Sequence, residues 1–195
     1  MSTLSYILIE KVSKIELEQI LDETYMVGKR EIFDYPQSSK YFDLENRYRT
    51  FCIHQECNLE WTQLEYDLEN IYEFDEILRR LTKLKQSKSI IGYKQTTSGE
   101  ARFALFESGQ LTRSIVQKYI EHQNEFRTVE NFGARLPFEN ITYESTLVKL
   151  MEGTVELLDF YNDIQIWIKE LGFNFNGRAE EETEYIHLEI KNYKN

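Results

Sequence analysis

Three apolar runs separated by turn residues follow one another between positions 89 and 119. The runs cover residues 90–93, 101–106 and 111–116 and contain many of the β-branched and aromatic side chains that favour strands. Gly99 marks the first turn and a Ser-Gly pair marks the second. The pattern predicts a three-stranded antiparallel meander, about the smallest sheet that is stable when one face is covered.

The length of the second turn decides which residues of the meander face each other. A two-residue loop at the Ser-Gly pair places Phe106 opposite Leu111 and therefore Ala104 opposite Arg113. A three-residue loop places Phe106 opposite Thr112 instead. The sequence leaves both registers open, and a slip of one residue exchanges the two faces of a strand.

Helical periodicity flanks the meander on both sides. Ser13 and Glu16 have the spacing of a capping box and predict that a strand over residues 4–10 leads into a helix that ends near Gly28. An apolar stripe predicts a helix over residues 74–84; its members are Ile77, Leu78, Leu81 and Leu84. Further helices are predicted over residues 61–71 and 155–171, ending at Gly172.

The remaining stretches complete the predicted architecture. Alternating patterns predict strands over residues 48–54 and 185–190, and the polar stretch 121–140 predicts a long connection with a weak subdomain boundary. A chain of 195 residues suits one domain. We therefore expect a single α+β domain over residues 1–195, built on an antiparallel meander sheet covered by amphipathic helices.

The composition of the chain restricts the kinds of partner that it is expected to bind and the cellular compartment in which it is expected to lie. The formal net charge of −11 argues against binding nucleic acid through its phosphates, which needs a basic surface. Acidic surface either keeps the protein in solution or attracts a basic protein partner. Residues 6–9 are too short an apolar run for a signal peptide or a membrane span, so no membrane association is predicted. With only Cys52 and Cys57, a reducing cytoplasm is the predicted location.

Motifs for catalysis are missing from the sequence. There is no glycine-rich phosphate loop, no G-x-S-x-G elbow and no H-E-x-x-H motif, so we predict no enzyme activity and no cofactor. Cys52, His54 and Cys57 form a C-x-H-x-x-C cluster whose spacing is not that of a common zinc site. Two buried thiols and one hydrogen-bonded histidine are the favoured interpretation, and no metal site is predicted.

Acidic residues concentrate between positions 56 and 76, with no lysine or arginine among them. A solvated face is the simplest interpretation, and a second one is a binding face anchored by interleaved aromatic side chains. Two meander arginines are predicted to stand on the solvent side of the sheet or to form a paired surface that binds a carboxylate or phosphate. The candidate partner-binding residues are Trp61, Glu65, Tyr66, Asp67, Glu69, Tyr72, Glu73, Arg102 and Arg113.

The stretch RFALFESGQLTRS resembles a hairpin found in small acidic bacterial proteins, including immunity proteins that neutralise toxins. The matching positions are Phe103, Phe106, Gly109, Leu111 and Arg113. The resemblance covers some thirty residues and implies an inhibitor that binds a partner protein and performs no chemistry.

The leading hypothesis is therefore a cytoplasmic interaction protein, an immunity protein or inhibitor, that binds and blocks a basic toxin or enzyme. Two alternatives belong to other classes of protein. One is a metal-dependent hydrolase with clustered carboxylates such as Asp67 and Glu69. The other is a self-associating structural subunit.

Overall fold

One large antiparallel sheet dominates the computed structural model of the chain. The structure describes residues 3–33, 49–55, 60–66, 70–95, 98–121, 125–139, 147–148, 158–173 and 185–193. The strands are β1 (Thr3–Glu10), β2 (Tyr25–Phe33), β3 (Arg49–Gln55), β4 (Trp61–Tyr66), β5 (Lys88–Gln95), β6 (Ala101–Glu107), β7 (Gln110–Ile120), β8 (Glu125–Phe132), β9 (Leu147–Val148) and β10 (Tyr185–Tyr193). The helices are α1 (Lys14–Thr24), α2 (Asp75–Lys85) and α3 (Gln165–Glu170), the last preceded by a π-helical turn, Phe160–Ile164.

The order of strands across the sheet is β2-β10-β3-β4-β1-β5-β6-β7-β8-β9. Strands β5 to β8 pair in chain order, because short connections join antiparallel neighbours most simply, and β9 pairs with β8 after a longer stretch of chain. Strand β1 lies between β4 and β5, and β10 lies between β2 and β3. All four pairings join parts of the chain that are distant in sequence.

The three predicted central strands are present as β5, β6 and β7. Ser108 and Gly109 both have positive φ, 48° and 88°, which is the requirement of the tight turn that suits a two-residue hairpin loop. Phe106 accordingly faces Leu111. A β-bulge then shifts the register by one residue, so that Arg113 faces Leu105 and not Ala104.

Helices α1 and α2 pack on one face of the sheet, which we name the α1/α2 face. The predicted capping box starts α1, since Ser13 Oγ accepts from the Glu16 backbone N–H at 3.3 Å and Glu16 Oε2 accepts from the Ser13 N–H at 2.9 Å. The core of this face combines both helices with the sheet and includes Leu17, Leu21, Leu78, Leu81, Ile7, Ile91, Ala104, Phe106 and Val116.

The opposite face carries a second apolar core beneath α3, and we name it the α3 face. Trp167 packs against Phe103 with ring centroids 5.0 Å apart, in the edge-to-face geometry that aromatic pairs favour. Other members of this core are Leu8, Trp61, Ile90, Leu105, Ile115, Ile164, Ile168 and Phe173. The central strands β5 and β6 are therefore buried on both faces.

The predicted α+β fold, a meander covered by amphipathic helices, is wrong. The sheet has ten strands, whereas the three α-helices of the described ranges have only 11, 11 and 6 residues. The chain is mostly sheet because several segments predicted as helix or connection pair as strands.

Strand pairing overrides local periodicity in these segments. Residues 61–66 were predicted to start a helix, but β4 pairs with β3 on one side and β1 on the other. Strand β2 occupies the region where the first helix was expected to end, and β8 occupies the middle of the predicted connection over residues 121–140. A pattern within a short segment cannot show that the segment forms backbone hydrogen bonds with a strand that is distant in sequence.

Candidate functional site

Three of the predicted binding residues, Tyr72, Glu73 and Arg102, come together at the N-terminal end of α2. Arg102 lies on the α1/α2 face of β6, opposite Val116, and its side chain is fully buried. Its guanidinium donates two parallel hydrogen bonds to Asp75, at 2.7 Å to Oδ1 and 2.8 Å to Oδ2. It also donates to the backbone carbonyl of Ile71, so it fixes both the segment before α2 and the first turn of the helix.

The ring of Tyr72 lies against two cations. The guanidinium carbon of Arg102 is 4.4 Å from the ring centroid, and the Lys118 ammonium is 6.0 Å from it. The Tyr72 hydroxyl donates to Glu130 Oε2 at 3.3 Å. Burial, followed by the negative charge of Glu130, raises the pKa of the Tyr72 hydroxyl above its usual range, so the phenol stays protonated and remains a donor.

Three more carboxylates are linked to this tyrosine, two by their nearness in the chain and one through Lys118. Glu73 accepts a hydrogen bond from the Tyr25 hydroxyl at 3.1 Å, and Lys118 pairs with Glu100 at 2.8 Å. Glu76 is exposed in the first turn of α2, where a negative charge favours the helix dipole. We name this surface the Tyr72 site; it consists of Tyr72, Glu73, Asp75, Glu76, Glu100, Arg102, Lys118 and Glu130.

The charge of the Tyr72 site is negative, with five carboxylates against two cations. The bidentate ion pair with Asp75 neutralises the positive charge of Arg102 within the protein. The site can therefore bind cationic groups, and its half-buried aromatic ring is held in a fixed orientation by its neighbours.

Trp61 and Glu65, from the same acidic stretch, lie elsewhere. Trp61 is buried on the α3 face, with its ring centroid 6.1 Å from that of Phe173. Glu65 is half-buried and accepts from Gln63 Nε2 at 2.7 Å. Tyr66 ends β4, and positions 67 and 69, occupied by Asp67 and Glu69, lie outside the described residues.

Arg113 does not stand on the solvent side of the sheet, and neither does Arg102. Arg113 is buried on the α3 face, where its Nε and Nη2 donate to the two Glu139 oxygens at 2.7 and 2.8 Å. It also donates to Asn131 Oδ1 at 2.7 Å. The bulge in the hairpin turned Arg113 to the face opposite Arg102, so the predicted paired-arginine surface does not form.

A second polar cluster lies on the α3 face of β3 and β10. Cys52 Sγ is 3.6 Å from His187 Nε2, and both side chains are buried. The His54 ring lies 5.2 Å from that of Tyr185, while Cys57 is outside the described residues. In the described part of the chain, no group of three histidine, cysteine or acidic side chains is arranged to hold a metal ion.

The predicted binding residues leave out five members of the Tyr72 site: Asp75, Glu76, Glu100, Lys118 and Glu130. Asp75 and Glu76 carried one usable signal, their position in the first turn of a predicted helix. Lys118 and Glu130 join the site only through the pairing of β7 with β8, which no local pattern reveals.

Comparisons of the chain with protein-family models, with curated proteins and with solved structures found no match. Among the described residues, no helix has the length and apolar character needed to cross a membrane.

Proposed function

We propose that the protein is a cytoplasmic binding protein of the immunity or inhibitor type, which binds a basic protein partner through the Tyr72 site. The observation that carries this proposal is the buried Arg102–Asp75 pair beneath Tyr72. It holds an aromatic anchor rigid inside a surface that has an excess of carboxylates.

Rigidity favours binding because an anchor that is already ordered loses little conformational freedom when a partner arrives. Tyrosine offers a large contact area with few rotatable bonds, and it is enriched among the residues that dominate interface energies. The Tyr72 ring contacts Arg102 from below and its hydroxyl is held by Glu130, so its orientation is set before binding.

Charge supports the same proposal at longer range. A chain with a net charge of −11 attracts a basic protein before contact, which raises the association rate and makes it sensitive to salt. In this mechanism the acidic surface steers the partner, Tyr72 packs against it, and the complex blocks the partner's active site.

Association kinetics test the proposal. A partner captured from the host lysate at low salt would be purified, and its association with the wild-type chain measured at several ionic strengths. Replacing Glu73 and Glu76 by lysine should slow association about tenfold or more at low salt. The matched pair is Glu76→Lys and Glu170→Lys, because each reverses one exposed charge and Glu170 lies on α3 at the other face. Equal association rates for these two variants would reject the Tyr72 site as the contact.

A further inference from the structure

Phe132 is an exposed aromatic residue on the same face of β8 as Glu130. Glu130 lies opposite Val116 of the α1/α2 core, and Phe132 follows two residues later in an unbroken register. Side chains alternate along a strand, so both point to the α1/α2 face, with their Cα atoms about 7 Å apart. Phe132 is 52% exposed, which leaves an aromatic ring open to a partner beside the carboxylate.

The backbone that carries Phe132 is held from the opposite face of the sheet. Arg113 donates to the Phe132 carbonyl at 2.8 Å and to the side-chain oxygen of Asn131 at 2.7 Å. Gly133 follows with a φ of +85°, at a position where the Thr112 carbonyl leaves no room for a side chain. These contacts order the chain on both sides of Phe132, so its backbone loses little freedom when a partner packs against the ring.

The carboxylate of Glu130 has incomplete hydrogen bonding. Its Oε2 accepts from the Tyr72 hydroxyl at 3.3 Å, whereas its Oε1, shielded from solvent, accepts no hydrogen bond in the described part of the chain. A shielded acceptor without a donor is destabilising, because it has lost water and gained no replacement. Lys118, the nearby cation, is paired with Glu100 at 2.8 Å. A donor from another molecule would complete the hydrogen bonding of Glu130.

We propose that Glu130 and Phe132 bind an arginine side chain of the basic partner. The half-buried Glu130 side chain turns to accept hydrogen bonds from the guanidinium, and the plane of the guanidinium stacks on the Phe132 ring. This inference rests on the proposed function and names the chemical group that the partner presents beside the Tyr72 site.

Arginine suits this position better than lysine does. A guanidinium is flat, so it stacks on an aromatic ring while its N–H groups bind a carboxylate, whereas an ammonium group cannot stack. The chain contains the same arrangement in its interior. The Arg102 guanidinium binds both Asp75 oxygens and lies 4.4 Å from the centroid of the Tyr72 ring. A partner arginine would repeat this arrangement at the surface.

NMR titration of the isotope-labelled chain with acetyl-arginine methylamide tests the arginine site. The control compound is acetyl-citrulline methylamide, which has nearly the same shape but no charge. The arginine compound should shift the backbone amide signals of Glu130 and Phe132. It should bind about tenfold more tightly than the citrulline compound, since a hydrogen bond to a charged group is stronger by about that factor.

Variants of the two residues test the separate contacts. Glu130→Gln should weaken binding of the arginine compound about tenfold. Phe132→Leu should weaken it severalfold, because leucine keeps an apolar side chain but removes the ring. The matched controls are Glu170→Gln on α3 and Tyr161→Leu in the turn before it, an exposed carboxylate and a 60% exposed aromatic residue. Neither control should change the binding.

Equal binding of the arginine and citrulline compounds would overturn this inference, as would unchanged binding in Glu130→Gln. A lysine compound that binds as tightly as the arginine compound would contradict stacking on Phe132. The captured partner distinguishes these failures from failure of the proposed function. If Glu76→Lys slows its association while Glu130→Gln and Phe132→Leu leave its affinity unchanged, the acidic surface is the contact and the arginine site is wrong. If none of these variants differs from the α3 controls, both proposals are wrong.

Discussion

Arg102 determines the structure of the Tyr72 site at the scale of single residues. Its guanidinium is fully buried and binds Asp75, the Ile71 carbonyl and the face of the Tyr72 ring. A buried arginine needs such partners because an unpaired charge in the interior is strongly destabilising. Removing one member of the pair leaves the other without compensation.

We predict that Arg102→Met lowers the free energy of unfolding by about 3 kcal/mol, the typical effect of breaking a buried ion pair. The double variant Arg102→Met with Asp75→Asn should recover part of this loss, since it removes the uncompensated carboxylate. Urea unfolding of the three proteins measures both effects. A loss of less than about 1 kcal/mol in the single variant would mean that the pair contributes little.

Gly133 is a second position where one residue decides the local structure. Its φ is +85°, and a Cβ built on it would lie 1.9 Å from the Thr112 carbonyl oxygen. Gly172 has a φ of +107° with no atom within 4 Å of its Cβ position. We expect Gly133→Ala to destabilise the protein by more than about 2 kcal/mol, and Gly172→Ala by only about 1 kcal/mol from backbone strain. Thermal unfolding of both variants compares them, and equal losses would refute the steric argument.

At the scale of elements, the contact between α1 and α2 depends on Glu16. Lys85 of α2 donates a hydrogen bond to this carboxylate, and Ser13 supplies two more, so the pKa of Glu16 falls to about 2. Because the folded pKa lies below the ordinary value of 4.5, the stabilisation is present above about pH 4.5 and is lost as the pH falls toward 2.

The variant Glu16→Gln should therefore show a smaller loss of stability between pH 4.5 and pH 2 than the wild type. At pH 7 we expect it to cost only about 1 kcal/mol, because the side chain is 40% exposed and water screens the ion pair. Chemical unfolding across this pH range measures the difference. Parallel curves for the two proteins would show that Glu16 is not the titrating group.

The individual elements also show how much of the fold can be predicted from the sequence. The capping box of α1 and the helix α2 are encoded within a few residues and form as predicted, although Leu84 of the predicted stripe is exposed. The turn at Gly109 takes the two-residue form, one of the two registers that the sequence left open. Strand β4 and the bulge before Arg113 depend on neighbouring strands, so local patterns missed them. For the Tyr72 site, Tyr72 and Glu73 were predicted from the acidic, aromatic stretch and Arg102 from the meander pattern, whereas Lys118 and Glu130 required the sheet register.

At the scale of the whole molecule, the sheet places two buried arginines on opposite faces and pairs each with a carboxylate of the same chain. These pairs leave the chain with its large negative charge, and the Tyr72 site adds an aromatic anchor to one acidic surface. The central claim is that this surface contacts a basic partner.

Photo-crosslinking in the host cell tests that claim most directly. Glu76, which is exposed in the first turn of α2 four residues after Tyr72, would be replaced by p-benzoylphenylalanine, and Glu170 on α3 would carry the same group as the control. We predict that position 76 crosslinks to one basic protein and position 170 does not. Crosslinking of the same protein from position 170 alone would contradict the account, as would the absence of any crosslink at position 76.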